Sequence, residues 1–199
     1  MASSGNWFDQ AYHGTPPWDI GRPQPGIVRL ADQGEIRGRV LDIGCGTGEN
    51  ALFLAQLGFD VVGIDAAPTA IGKARVKARA RGITAHFQVA DALNLPAAED
   101  PFDTVIDMGL FHVFPDEARA PYRESLARVL RPDGTYFMMC FSDRQPGDWG
   151  PRRVRQAEIR ATFKEGWHIN YIQPTALEMT EGQAQGWLVS ISRQPAVGT

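Results

Sequence analysis

Two acids and three glycines carry most of the chemistry this sequence offers. In RVLDIGCGTGENALFLAQLGFDVVGID, residues 39–65, Asp42 sits in a short apolar run, Gly44, Gly46 and Gly48 follow it, and Asp65 ends a second apolar run. An acid that closes a buried strand must find a partner or water. A carboxylate about 20 residues beyond a glycine turn is placed to accept hydrogen bonds from both hydroxyls of a ribose, which implies an adenosine-like ligand. A dinucleotide fingerprint would need glycine three positions after Gly46, where Glu49 stands, and a phosphate-binding P-loop would need Lys followed by Ser or Thr. Neither pattern is present. Asp42 and Glu49 also flank the turn with negative charge, which would oppose a pyrophosphate by an amount on the order of several kcal/mol at close range. A ligand carrying an amino group and a cationic sulfur would be received well.

These residues need strands and helices to hold them. The runs 39–43 and 60–64 are short, apolar and β-branched, as expected of strands covered on both faces. Between them, residues 49–57 place Ala51, Leu52, Leu54, Ala55 and Leu57 on a helical period, with Gly58 as the stop. This is a βαβ unit. Helices are predicted over 25–33, 68–80, 116–130 and 155–164, and further strands over 86–89, 102–107, 135–141, 167–173 and 187–193. The stretch Arg131-Pro132-Asp133-Gly134 reads as a helix stop, and 194–199 as a frayed tail. Regular alternation of strand and helix predicts an α/β domain with a mostly parallel sheet and helices on both faces.

The segment 6–25 holds Trp7, Phe8, Tyr12 and Trp18 and prolines at 16, 17, 23 and 25, so it cannot be one continuous helix. It is predicted to be an irregular aromatic lid over a bound small molecule. Residues 142–153, SDRQPGDWGPRR, read as a surface loop over the active face.

A chain of 199 residues with 43% hydrophobic content suits a single domain, 1–199. The net charge of -3 is spread without long runs of either sign, so no nucleic-acid partner is expected. Cys45 and Cys140 lie in apolar segments without Cys or His at ligand spacing, and neither a metal site nor a disulfide is predicted. The N-terminus lacks a basic region followed by an apolar core, and no apolar run reaches the length of a membrane span; a cytoplasmic protein with no membrane partner is expected.

VLDIGCGTG, the acid of VVGID, ADALNLP, FDTVIDMGLFHVF and LARVLRPDGTYF, in this order and spacing, resemble the motif series of class I S-adenosylmethionine-dependent methyltransferases. The similarity runs from about residue 38 to residue 141. WFDQAYHGTPPWDIGRPQP further resembles the aromatic lid of the thiopurine and thiol/halide methyltransferase group. The resemblance implies a Rossmann-like, seven-stranded, mostly parallel sheet with an antiparallel strand near the C-terminus. It implies S-adenosyl-L-methionine as cofactor, S-adenosyl-L-homocysteine as product, and a small-molecule acceptor methylated on sulfur, oxygen or nitrogen by a monomer or homodimer. Carried over by position, Asp42 and Gly44 would lie near the methionine amino group, with Cys45 and Gly46 in the turn against the ligand. Asp65 would take the ribose, Ala66 would lie against the adenine, and Asp91 and Ala92 would hold its edge. Met108 would flank the sulfonium, and Trp18 would cover the cofactor. Where the thiopurine enzymes have an Asp-Arg pair after the fourth strand, this chain has Asp107-Met108, so its acceptor pocket need not match theirs.

Methyl transfer from a sulfonium is an in-line displacement in which the protein mainly aligns the partners and excludes water. A neutral hydroxyl acceptor would still want a base, and His112, just past the fourth strand, is the candidate. Tyr12, His13, Phe111, Phe114 and Trp149 are the candidate acceptor contacts, with Arg144, Arg152 and Arg153 available to an anionic one. The alternative reading is a non-catalytic S-adenosylmethionine-binding regulatory module.

Overall fold

Strands that are apolar on both faces can be buried only between layers of helix, and the chain is built that way. The computed structural model describes residues 4–195. Its strands are β1 (Arg39–Ile43), β2 (Asp60–Asp65), β3 (His86–Val89), β4 (Phe102–Met108), β5 (Leu130–Phe141), β6 (Trp167–Glu178) and β7 (Gln183–Arg193). Its helices are α1 (Ser4–Ala11), α2 (Pro25–Asp32), α3 (Glu49–Gln56), α4 (Pro68–Arg81), α5 (Asp116–Val129) and α6 (Gln156–Thr162), with a single 3-10 turn at Phe111–Val113. The sheet order is β3-β2-β1-β4-β5-β7-β6. The strands β1 to β5 pair in parallel, and β7 alone runs antiparallel, to both β5 and β6. This is the Rossmann-like class I methyltransferase architecture that the motifs implied.

Successive strand residues face opposite sides of the sheet, so each strand feeds two cores. Leu41, Val105 and Met138 join Phe111, Tyr122 and Trp187 on one side, while Val40, Ile106 and Met139 join Ile27, Leu52 and Ile71 on the other. Strand order reverses between β1 and β4, and their carboxyl ends open the crevice where such sheets bind ligands. Among the described residues, no helix is long and apolar enough to cross a membrane, and no group of three or more His, Cys, Asp or Glu side chains is placed to hold a metal.

Four elements differ from expectation. Residues 4–11 form a helix, because the prolines that forbid one begin only at Pro16. The chain passes from α5 into β5 without the expected loop at 131–134. Leu130 already pairs with Phe102, and the Pro-Asp-Gly stretch is absorbed as an irregularity, with Asp133 at φ 62°. The last two strands form a longer hairpin than predicted, since β6 is an edge strand whose second half is mostly exposed or half-exposed and buries only Leu177. Pro174 is tolerated there for the same reason. The expected tail falls outside the described residues from position 196 onward.

Candidate active site

The floor of the crevice is the turn between β1 and α3. Gly44 and Cys45 donate their N–H groups to the Ile64 carbonyl (2.8 and 2.9 Å), and Gly46 donates to Asp65 Oδ2 (2.9 Å), so the turn is tied to the end of β2. Gly46 has φ +54°, and a Cβ there would stand 2.7 Å from the Tyr12 hydroxyl. Only glycine fits that approach. The Cys45 sulfur turns under Gly63 into the core. Burial pushes its thiol pKa well up, which leaves it inert.

Above the turn stand three carboxylates, Asp42, Asp65 and Asp107, on the adjacent strands β1, β2 and β4. Asp42 is wholly buried, and neither of its oxygens has a hydrogen-bond partner; the Ala51 amide eases its charge without reaching bonding geometry. Burial, with Asp65 and Asp107 adding repulsion, raises its pKa to about 8. Asp65 accepts from Gly46 and from the Ala67 amide (2.8 Å), and burial raises its pKa as well. Among the described residues, no cation pairs with any of the three. An orphaned buried carboxylate in an acidic crevice fits the ammonium and sulfonium of S-adenosylmethionine.

Glu49 does not share in this. It is held by Lys77 (2.7 Å) and by both terminal nitrogens of Arg81 (2.8 and 2.9 Å). Burial alone would raise its pKa, but these cations hold it below the usual range. Its charge is therefore taken up by these two cations and does not act on a ligand in the crevice.

The aromatic segment lies closed over the turn. Tyr12 is buried against Ala67 and Ala70 and accepts from Trp18 Nε1 (2.9 Å), and Trp18 meets Trp7 at a tilt (5.9 Å) and Phe8 edge-on (6.1 Å). Asp9 accepts from the Thr69 amide at the start of α4 (2.8 Å), Thr47 donates to Asp19 (2.8 Å), and Lys77 donates to Thr47 (2.6 Å). Gln24 and Glu178 exchange two hydrogen bonds (2.9 and 3.0 Å). Tyr12 thus lies against the glycine turn and the start of α4. His13 is exposed on the outside of the segment. Ala66 and Asp91 are exposed at the crevice rim, and the Asp91 carboxylate caps its own turn by accepting from Leu93 N (2.9 Å). Half-buried Ala92 follows it.

At the end of β4, Met108 is half-buried, and Leu110 rests on the glycine turn, 3.1 Å from where a Cβ on Gly44 would be. His112 is buried. The Phe141 N–H donates to its Nδ1 (3.0 Å), which assigns the ring proton to Nε2. Nε2 points toward Gly109, 3.4 Å from where a Cβ would stand there. Burial first, and the Arg153 charge second, lower its pKa to about 3. Phe111, expected at the acceptor, is fully buried between Tyr122 and Phe163, under the Arg119 guanidinium (4.9 Å). Phe114 packs on Tyr122 (4.9 Å) beside the same core. Trp149 is 45% exposed and meets Phe141 edge-on (5.6 Å), and Phe141 in turn meets His112 (5.1 Å).

The residues that sequence reasoning missed are those that hold others in place. Asp107 accepts from Tyr122, Tyr136, Leu110 N and Phe111 N (2.7, 2.8, 2.7 and 3.3 Å) and so fixes the turn that carries His112. Its spacing from the two tyrosines carries no signal. The hold of α4 on the turn and the aromatic segment does leave a signal: Lys73, which donates to the Gly14 carbonyl (2.9 Å), Lys77 and Arg81 are four residues apart and share one face.

Residues 40–134 match the methyltransferase-domain family. A 2-heptyl-1-hydroxyquinolin-4(1H)-one methyltransferase of Mycobacteroides abscessus is 40% identical over 181 residues, covering 85% of this chain and 80% of that protein. An Arabidopsis thaliana protein named "Probable thiol methyltransferase 2" is 30% identical over 159 residues, covering 78% and 70%. A solved structure described under conversion of a disulfide bond into a thioacetal group during echinomycin biosynthesis superposes with a TM-score of 0.88 at 39% identity, covering 96% of this chain and 93% of that one. With the crevice, its acids and these relatives in agreement, the chain belongs to the class I S-adenosylmethionine-dependent methyltransferases and acts on small molecules.

Proposed function

We propose that the enzyme methylates an acidic hydroxyl or thiol of a small, planar, heteroaromatic acceptor, which enters the site as its anion. S-adenosylmethionine, when bound, supplies a methyl group on a cationic sulfur that leaves as a neutral thioether. Asp42 receives the amino group, Asp65 the ribose, Ala66, Asp91 and Ala92 the adenine, and Met108 the region of the sulfonium. Tyr12 and Trp18 close over the cofactor and keep water out.

The observation that carries the anionic acceptor is the state of His112. Its Nδ1 lone pair is engaged by the Phe141 amide, and its pKa is near 3, so it cannot take a proton at neutral pH. Asp107, the other titratable group at the end of β4, is sealed under four donors. The acceptor must then ionise by itself, as thiols do with a pKa of roughly 8.5, and as hydroxyls on electron-poor rings do more readily. The hydroxyquinolone and thiol named for the two relatives are nucleophiles of this kind. Transfer of labelled methyl from the cofactor to a panel of N-hydroxy heteroaromatics, thiophenols, phenols and amines tests the proposal. Product is expected from the acidic members first; tight S-adenosylhomocysteine binding without product on any of them would contradict it and favour a regulatory role.

Two substitutions follow. His112→Asn keeps an acceptor for the Phe141 amide and should lower kcat/KM about tenfold, through one lost Nε2–H donor. The loss should be equal for acceptors with pKa values of roughly 5 and roughly 9. A much larger loss on the weaker acid would make His112 a base. Asp65→Ala should weaken S-adenosylhomocysteine binding by about 1–3 kcal/mol through lost ribose hydrogen bonds. Calorimetry on a folded variant with unchanged affinity would remove Asp65 from the site.

A further inference from the structure

The loop 142–153 leaves the end of β5 and returns to it. Ser142 bridges Val154, the Ser142 amide and hydroxyl both donate to the Gln185 carbonyl (2.9 and 3.0 Å), and Val154 N donates to Phe141 O (2.9 Å). Gln145 Oε1 accepts from the Gln185 amide (2.6 Å). Residues 146–150, by contrast, are exposed. A compact surface loop pinned only at its ends must be filled from within by a side chain of its own.

Arg153 fills it. Its guanidinium donates to the carbonyls of Gln145 (3.3 Å), Pro146 (3.4 Å), Gly147 (3.0 Å), Trp149 (2.8 Å) and Pro151 (2.6 Å). The same group stands over the rings of Phe141 (5.4 Å) and Trp149 (5.6 Å). Trp149, Phe141 and His112 form a continuous edge-on aromatic row that ends beside Gly109. One cation thus shapes the loop backbone and the row together. The other two arginines of this region are engaged elsewhere. Arg152 pairs with Asp116 (2.6 Å) and Glu158 (2.5 Å), and Arg144 lies over Trp187.

We infer that Arg153 is the positioning residue of the acceptor side: by gathering five loop carbonyls it holds Trp149 and Phe141 as the wall against which a planar acceptor stacks beside His112. This rests on the acceptor-side reading above. It acts through backbone carbonyls and ring faces, so the planar five-donor fork is required, and a lysine with its compact charge cannot replace it. Acceptor selectivity then follows from aromatic stacking rather than from an ion pair to arginine.

Arg153→Lys and Arg153→Gln, compared with wild type on an aromatic hydroxyl acceptor and on 2-mercaptoethanol, test this together with S-adenosylhomocysteine calorimetry and amide exchange over 142–153. In both variants the KM for the aromatic acceptor should rise about tenfold or more, while the KM for the small thiol and the S-adenosylhomocysteine affinity stay within about twofold. Loop amides should exchange faster. An unchanged aromatic KM despite faster exchange, a lysine variant with wild-type KM, or a joint loss of all three affinities would overturn the inference. Wild-type enzyme that binds S-adenosylhomocysteine yet methylates neither acceptor would overturn the proposed function, and this inference with it.

Discussion

Asp42→Asn is expected to weaken S-adenosylhomocysteine binding by about 3 kcal/mol, roughly a hundredfold, without destabilising the free protein. The carboxylate is wholly buried and has no hydrogen-bond partner, so a ligand ammonium is its only available counterpart. In the free protein the same burial works against the ionised form and raises its pKa to about 8, far above the ordinary 3.8. The sign follows from linkage. Between about pH 4 and pH 8 the unfolded chain releases this proton and the folded chain keeps it, so the wild-type protein loses stability as pH rises, by up to about 1.4 kcal/mol per pH unit. Asp42→Asn lacks that loss. Denaturant unfolding without cofactor at pH 5 and pH 8 should show the variant gaining on wild type. The same proton must leave when the ammonium binds, so wild-type affinity should rise by up to about tenfold per pH unit below pH 8 and flatten in the variant. Equal cofactor affinity in the two proteins would remove Asp42 from the site.

Asp107→Ala should lower the unfolding free energy by about 3–5 kcal/mol, the largest stability loss expected of a single change here. Truncation leaves two buried tyrosine hydroxyls and two amides without their acceptor. Tyr122→Phe and Tyr136→Phe, which each remove one donor, should cost about 1 kcal/mol apiece. Burial raises the Asp107 pKa to about 6, so its ionisation also withdraws stability as pH climbs from about 4 to 6. Urea unfolding at both ends of that window should show this slope in wild type and a shallower one in Asp107→Asn. A loss under about 1 kcal/mol for Asp107→Ala would mean that the network does not hold the turn.

The parts of the site that could be read from sequence are those set by local chemistry. A glycine turn after a β-branched strand, with an acid in each of the first two strands, places Asp42, Gly46 and Asp65 toward the carboxyl ends of β1 and β2, where the structure has them. Spacing did not show that the turn after β4 sends successive side chains to opposite sides, Phe111 to the core and His112 toward Gly109. Nor did it show that the Cys45 sulfur lies under Gly63. Gln24 and Glu178 are 154 residues apart, and nothing local announces a pair that only the tertiary fold brings together. The protonation state of His112 depends on one amide from β5 and on burial, neither of which spacing reveals.

The most direct test is the pH dependence of kcat/KM for two acceptors whose nucleophiles differ in pKa by roughly three units. With His112 unable to accept a proton, the acidic limb of each profile should follow the acceptor's own ionisation, so the two limbs should be displaced by the difference between the acceptors. A shared limb between about pH 6 and 7 for both acceptors would show that the enzyme supplies the base, and would contradict an acceptor that enters as its anion.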